Sequence, residues 1–328
     1  MTDNKQPTIY DVSERVGVSL ATVSRVVNNN GKVKSETRQK VLKAIKELNY
    51  RPNAMAKGLA SSKTTMIGMV MPDLTDLYYA ELAQGIDAVA KIYKYSVTLA
   101  VSDENPEAEK AALNTLIDKH VDGMIYMGNK TSGEMLKLLE DSPFPVVFAG
   151  SVDPQGKLPS VNINYVKAFS QAGEMLKKSD LDESEVALVD NPGEGSLSSL
   201  RQQGFLNAVS GGKIYESDDD YQAGYNLAQH LYEDGIKAVI VGEDEPALGI
   251  LNYMQDNGIK VPDQFQIISS NDTKLVKMAR PAISSVTQPK FDIGAVAMRL
   301  LTKLMSGQEI DDSKVVLPHE FVMRDTTK

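Results

Sequence analysis

From Thr65 onward, short apolar runs alternate with amphipathic helical stretches, and this alternation restricts the fold more than any other feature of the chain. Met66–Met71, Ser96–Val101, Gly123–Met127 and Val146–Ala149 have strand length and near-continuous apolar character. Val186–Val189, Ala238–Val241 and Gln266–Ser269 repeat the pattern later. Helical stretches lie between them, among them Tyr79–Tyr93, Glu107–His120 and Tyr221–Tyr232. Strand–helix–strand units close in one hand only and build parallel sheets covered by helices. About nine strands are too many for one lobe, so the body is predicted to be two Rossmann-like lobes with a break near Ser160. Ligands of such sheets bind beyond the carboxyl ends of the strands. That places Asp73, Asp103 and Asp272 at a candidate cleft.

Charge is distributed unevenly. The net charge of the 328 residues is −9, yet residues 1–63 hold 12 Lys and Arg against 5 Asp and Glu. The remainder holds 23 against 39. A basic head on an acidic body is the electrostatic footprint of a chain that meets nucleic acid at one end. The chain has no cysteine, which excludes disulfides, thiol nucleophiles and thiolate metal sites. No apolar run is long enough for a transmembrane helix, and the start lacks the basic and apolar regions of a secretory signal, so a cytoplasmic protein is expected.

The head reads as three helices. Thr8 is an N-cap candidate with Asp11 completing a capping box, and Ile9, Val12 and Val16 share one face. Gly17-Val18 breaks this helix, and Ser19 caps a second over Leu20–Asn28, with Val23, Val26 and Val27 turned inward. A third begins near Ser35 and is expected to bury Val41, Leu42, Ile45 and Leu48. Two short helices across a glycine turn, with a third packed on them, make a helix-turn-helix. With the valines inward, Ala21, Ser24, Arg25 and Asn28 face outward and Leu20 projects from the first turn. The Arg25 guanidinium matches the two acceptors on the major-groove edge of guanine. The hydroxyls of Tyr10, Thr22 and Ser24 suit phosphate oxygens, which set position rather than sequence.

Residues 51–63 follow. Pro52 suits a first helical turn, but a segment this short cannot hold a helix alone in water. Ala56 and Leu59 are spaced to press a wedge into an opened minor groove. On pattern alone, a flexible linker describes the segment equally well.

Catalytic constellations are thin. His120, His230 and His319 have no metal-ligand spacing. Gly193-Glu194-Gly195 follows a strand and opens a helix, but Ser198 stands where a dinucleotide fingerprint needs its third glycine. Asp218-Asp219-Asp220 reads as a solvated helix start. No base, nucleophile and orienting group converge, so no enzyme and no cofactor are expected.

The segments Thr8-Ile9-Tyr10-Asp11-Val12, Ser19 through Asn28 and Tyr50-Arg51-Pro52-Asn53-Ala54 resemble the lac repressor/galactose repressor family. Met71-Pro72-Asp73-Leu74, Tyr78-Tyr79-Ala80-Glu81-Leu82 and Gln288 through Lys303 extend the resemblance along the whole chain and narrow it to the catabolite-control members. The resemblance implies a DNA-binding headpiece (1–50), a hinge helix (51–63) and a periplasmic-binding-protein-like core. In that core, residues 64–160 with 288–328 form one subdomain and 161–287 the other. It implies a homodimeric repressor on a pseudo-palindromic operator, with Leu20, Ala21 and Arg25 on bases. Tyr10, Ser19, Thr22, Ser24 and Asn28 then serve the DNA backbone, and Asn53, Ala56 and Leu59 complete the contact set from the hinge.

Most relatives hold a small effector between the lobes, for which Asp73, Tyr79, Asp103, Arg201 and Asp272 are the candidates here, with Arg201 placed to hold an anionic or hydroxylated ligand. Asn271-Asp272-Thr273 and Ser269-Ser270 depart from the usual residues at one cleft turn. For the catabolite-control members the resemblance implies a protein corepressor, the phosphocarrier HPr phosphorylated on serine, or its paralogue Crh. The late helix offers a site on its own chemistry. Ile293, Ala297, Leu300, Leu301 and Leu304 form an inward stripe, while Asp292, Ala295, Val296, Arg299 and Lys303 line another face. With Phe291 and Leu300 these are the candidate corepressor contacts. Paired cations one turn apart can hold a phosphoserine, although an ordinary solvated face carries the same pattern. The competing readings are a family repressor controlled by a small sugar or sugar phosphate, an extracytoplasmic sugar-binding protein, and an enzyme on a Rossmann-like core. The basic head and the missing signal and catalytic groups oppose the last two.

Overall fold

A computed structural model of the chain describes residues 7–28, 31–50, 64–102, 105–128 and 133–328. The chain divides into two compact units, residues 1–64 and 65–328.

The first unit contains α1 (Ile9–Val16), α2 (Leu20–Val27) and α3 (Ser35–Glu47). The Asp11 carboxylate accepts from the Thr8 backbone N–H (2.6 Å) and hydroxyl (2.7 Å), which fixes the start of α1. Gly17 ends the helix at φ +71°, a left-handed turn that costs glycine nothing. Ser19 then accepts from the Thr22 N–H at 3.3 Å and starts α2. Val12, Val23, Val26, Val41 and Ala44 form the core, bordered by Ile9, Val16, Val27, Ile45 and Leu48. Leu42 is not among them: it is 50 % exposed. The stripe on α3 runs Val41, Ala44, Ile45, Leu48, and Leu42, one position after Val41, turns about 100° off it.

The second unit holds two six-stranded sheets. The first contains β1 (Met66–Met71), β2 (Ser96–Val101), β3 (Gly123–Tyr126), β4 (Val146–Ala149) and β5 (Ser160–Ile163), joined late in the chain by β11 (Lys314–Leu317). Its order is β11-β5-β4-β3-β1-β2, with every pairing parallel. The second contains β6 (Val186–Asp190), β7 (Lys213–Glu216), β8 (Ala238–Val241), β9 (Gln266–Ser269) and β10 (Ser284–Thr287), with β12 (Glu320–Val322) added antiparallel at the edge. Its order, β12-β10-β9-β8-β6-β7, repeats that of the first sheet. The helices are α4 (Leu77–Ile92), α5 (Pro106–Asp118), α6 (Gly133–Glu140), α7 (Tyr165–Lys177), α8 (Ser196–Ala208), α9 (Tyr221–Glu233), α10 (Asp244–Asp256), α11 (Lys274–Met278) and α12 (Lys290–Met305). Among the described residues, none is long and apolar enough to cross a membrane.

Two expected boundaries shift. Ser160 opens β5, which pairs with β4, so the chain leaves the first sheet only after Ile163. The terminal segment is shared: α12 and β11 lie with the first lobe, whereas β12 joins the second. Beyond β12, the Asp325 N–H donates to the Ala282 carbonyl (3.0 Å) and the Thr326 carbonyl accepts from the Ile267 N–H (3.0 Å). Those residues are short and polar, so no hydrophobic periodicity announces which sheet they join.

Helix α12 packs on α4 without side chains between the backbones at two points. A methyl group on Gly85 would lie 2.0 Å from the Phe291 carbonyl oxygen, and one on Gly294 would lie 2.0 Å from that of Leu82. Neither space yields, because both obstacles are helical backbone. Gly294→Ala should therefore destabilise the core by about 1–3 kcal/mol, the ordinary cost of overpacking. Guanidinium unfolding of the variant against the natural chain measures it; an unchanged midpoint would contradict the packing described.

Candidate nucleic-acid interface and effector sites

On the head, burying Val23 and Val26 turns the opposite face of α2 outward. Ala21 and Arg25 are exposed, as is Tyr10 on α1 at 67 %. Leu20, Thr22, Ser24 and Asn28 are half-buried, and Ser19 is exposed at the cap. Structure adds a link that the sequence did not announce. The Asn28 amide nitrogen donates to the Ser24 hydroxyl oxygen at 3.2 Å, which fixes that oxygen as an acceptor and leaves its hydrogen free to donate elsewhere. The Asn28 amide oxygen is buried with no protein partner. The Ser19 and Thr22 hydroxyl oxygens lie 3.0 Å apart at the start of the same helix, where its free N–H groups favour an anion. Asn53, Ala56 and Leu59 lie outside the described residues.

In the core, a cleft of about 540 Å³ opens at the carboxyl ends of the strands. The loop after β1 supplies Asp73, Thr75 and Asp76, with Tyr79 from α4. The second lobe supplies Asn191, the turn Asp218–Asp220 after β7, and Glu243, Asp244 and Glu245 after β8. Asn271 and Thr273 complete it. Among the described residues, eight carboxylates and no basic side chain line this space.

Of the five residues expected there, Asp73 and Tyr79 line the cleft. Asp103 lies outside the described residues. Asp272 turns away: its carboxylate pairs with Arg324 (2.5 Å) and Lys277 (3.0 Å), at a backbone φ of +53°. Arg201 is buried beneath the cleft and already engaged. It donates to Asp190 (3.1 Å) and Glu243 (2.7 Å) and pairs with Glu194, while its guanidinium carbon sits 5.8 Å from the centre of the Phe169 ring. The expectation that Arg201 holds an anionic ligand is therefore corrected, because three carboxylates already compensate one cation. The Gly193-Glu194-Gly195 turn delivers Glu194 to Arg201, which explains its glycines without a nucleotide.

Sequence reading missed Glu243, Asp244, Glu245 and Asn271 as cleft residues and took Asp218–Asp220 for a solvated helix start. Asp220 does cap α9, accepting from the Ala223 N–H at 2.8 Å. The signal that could have found them is position: each group follows a strand of the second sheet. Burial, joined by the like charges of Glu245, Asp244 and Asp73, pushes the Asp76 carboxyl up to about 7. Burial likewise raises Glu243 well above the ordinary carboxylate range, against the pull of Arg201.

On α12, Phe291 is 50 % exposed and Asp292, Arg299 and Lys303 are exposed. Ala295 and Val296 are half-buried. Leu300 is 5 % exposed and packs in the core with Ile293, Ala297 and Leu301, so it is removed from the candidate contact face. Arg299 follows Ala295 and Phe291 around the helix, whereas Leu300 is turned about 100° further, onto the sheet. Among the described residues, Arg299 and Lys303 have no ion-pair partner. The N-terminus of α12 is joined to the second lobe. The Gln288 amide nitrogen donates to the Ser270 carbonyl (3.1 Å) and the Asn271 side chain (2.7 Å), and the Tyr78 hydroxyl donates to Gln288 at 3.3 Å. Lys290, 4 % exposed, donates to the Asn271 carbonyl at 2.5 Å and lies 3.5 Å from Glu81 on α4.

Comparison with known proteins accounts for both units. Residues 8–53 match the family model "Bacterial regulatory proteins, lacI family", and residues 64–315 match "Periplasmic binding proteins and sugar binding domain of LacI family". The chain belongs to the LacI family, whose members are DNA-binding transcription regulators rather than enzymes. It is 42 % identical over 331 residues to the HTH-type transcriptional regulator pepR1 of Lactobacillus delbrueckii subsp. lactis, covering 99 % of each chain. It is 44 % identical over 329 residues to catabolite control protein A of Streptococcus mutans, covering 98 % of each. Among solved structures, the lac repressor dimer bound to operator and the anti-inducer ONPF matches with a TM-score of 0.88 at 26 % identity, over 98 % of this chain and 99 % of that one. The chain is thus a transcription regulator of the catabolite control protein A type.

The raised carboxyl of Asp76 has a consequence for stability. Its protonated form is favoured in the folded chain, so the group carries no penalty below its ordinary value of 3.8, an increasing one as pH rises from there to about 7, and a constant one above. Asp76→Asn keeps an oxygen to accept from the Tyr78 N–H, as Asp76 now does at 2.7 Å, and removes the charge. The variant should melt at a higher temperature than the natural chain at pH 8, and the gain should shrink clearly at pH 5 and vanish near pH 3. A gain of equal size at all three pH values would show that charge is not the cause.

Proposed function

We propose that this chain is a homodimeric regulator of carbon catabolite genes, which reads a pseudo-palindromic operator through its head and takes serine-phosphorylated HPr or Crh as corepressor on α12. The observation that carries the corepressor reading is the outer face of that helix, where two exposed cations one turn apart stand beside a half-exposed Phe291 without a carboxylate to neutralise them. A phosphoserine brings about −1.5 to −2 charges and three acceptor oxygens, which two such cations complement. The flat stretch formed by Ala295 and Val296 leaves room for a partner's surface against the aromatic ring. Binding there has a path to the second lobe, because Gln288 and Lys290 at the start of the same helix hold the loop Ser270–Asp272. Similarity to catabolite control protein A supports the same reading. The alternative, an anionic sugar phosphate in the cleft, has to approach eight carboxylates with no lining cation among the described residues.

On the head, Arg25 is the discriminating contact, an exposed guanidinium on the helix that presents its small residues to the groove. Arg25→Ala should lower the preference for operator over scrambled DNA by roughly 1–3 kcal/mol at one fixed salt concentration, leaving the core folded. An unchanged ratio of the two affinities would remove Arg25 from base reading.

Arg299→Glu with Lys303→Glu tests the corepressor site. The double variant should keep its basal affinity for operator and lose the gain produced by titrating serine-phosphorylated HPr. Unphosphorylated HPr should give the natural chain little gain, since the cations then lack their partner. If the double variant responds as the natural chain does, the phosphate is held elsewhere.

A further inference from the structure

We propose that Arg324 is a positioning residue of the regulatory path: it locks the loop Ser270–Asp272 in the conformation that the start of α12 holds. The proposal rests on the reading of α12 given above and adds a residue that belongs to neither the partner face nor the cleft lining. Three elements hold the loop at once. From the start of α12, Gln288 donates to the Ser270 carbonyl (3.1 Å), and Lys290 to those of Asn271 (2.5 Å) and Asp272 (3.3 Å). At the start of α10, the Asp244 carboxylate accepts from the Asn271 N–H (3.2 Å) and the Thr273 N–H (2.7 Å). From the segment after β12, Arg324 donates through one terminal nitrogen to the Asp272 carboxylate (2.5 Å) and through the other to the Ile283 carbonyl (2.7 Å).

Two observations make Arg324 the deciding hold. Asp272 sits at φ +53°, a left-handed conformation that a residue with a side chain keeps only where its surroundings impose it. Arg324 grips the carboxylate of that same residue, so the ion pair and the backbone turn are one arrangement. The guanidinium fork reaches both its acceptors from two nitrogens at a fixed angle, a geometry that one lysine nitrogen does not reproduce. Arg324 is itself fixed: its backbone N–H donates to the Ser284 hydroxyl (2.8 Å), and the buried Thr326 hydroxyl donates to the Ile267 carbonyl (2.7 Å). Lys277 meets the other side of the Asp272 carboxylate at 3.0 Å, but it is half exposed and a weaker hold. The second observation is the Ser270 hydroxyl, which is fully buried and has no hydrogen-bond partner in the protein. A buried donor left unpaired is costly, so a shifted loop in which this hydroxyl finds an acceptor competes with the present one. Arg324 opposes that shift with a hold that does not pass through α12.

Amide exchange of the full-length chain, without DNA or HPr, tests the lock in Arg324→Gln, Arg324→Lys, Lys277→Gln and Asp272→Gly against the natural protein. Arg324→Gln should speed exchange in 270–273 by about tenfold or more, the scale of one lost charged hydrogen bond, while β6 and β8 of the same sheet exchange as before. Arg324→Lys, which keeps the charge without the fork, should fall between the two, and it carries the test if Arg324→Gln fails to fold. Lys277→Gln should leave the loop as it is. Asp272→Gly relieves the left-handed backbone but removes the carboxylate, so it should loosen the loop as Arg324→Gln does. The same chains are then titrated on operator with serine-phosphorylated HPr, where Arg324→Gln should keep its basal operator affinity and lose most of the gain. Unchanged exchange in 270–273, exchange raised equally through the second sheet, or an Asp272→Gly loop as protected as the natural one would each overturn the lock. Faster exchange with the full gain from HPr would overturn its regulatory role. Should the natural chain itself show no gain, the reading of α12 falls and the regulatory role with it, whereas exchange still decides whether Arg324 locks the loop.

Discussion

The close approach of α12 to α4 is the contact on which the regulatory half of the molecule depends. Gly85 and Gly294 let the two backbones meet, so the helices pack directly on each other within the first lobe. The start of α4 carries Asp76 and Tyr79 into the cleft, and Tyr78 reaches Gln288. The start of α12 carries Lys290 to the second lobe, and its outer face presents Phe291, Arg299 and Lys303. The cleft, the interlobe contact and the exposed face of α12 are therefore joined through one closely packed helix pair. Loosening that pair would separate all three.

Charge organises the rest. The head is basic and the body acidic, so attraction to DNA is confined to the unit that reads it. Within the body, Arg201 is buried only because Asp190, Glu194 and Glu243 surround it. Burial disfavours its charge, yet the three carboxylates hold its pKa well above the ordinary value. Removing Arg201 would leave three buried carboxylates without their cation, which is far costlier than losing a surface pair. The same arrangement takes Arg201 away from the cleft, where it could have met an anionic effector.

Sequence periodicity made the two-lobed architecture legible because buried parallel strands are continuously apolar, and β3, β4, β8 and β9 are buried throughout. Strands β7, β11 and β12 escaped because they are short edges with exposed residues. The head was legible down to Thr8, Gly17 and Ser19, since caps and turns are written in neighbouring residues. Leu42 was misplaced because its apolar character suggested burial, whereas the stripe set by Val41, Ala44, Ile45 and Leu48 leaves position 42 about 100° to one side. The cleft was the least legible part. Its carboxylates are brought together from turns far apart in sequence, and nothing local told Asp272, which turns away, from Asp219, which does not.

The central claim is that the regulatory signal enters on α12 and passes to the second lobe through Gln288 and Lys290. Amide hydrogen exchange of the operator-bound chain, with and without serine-phosphorylated HPr, measures this directly. Added protection is expected on the outer face of residues 291–303 and, without contact, in the loop 270–273. Protection confined to the cleft, or slowed exchange on α12 with no change at 270–273, would contradict it.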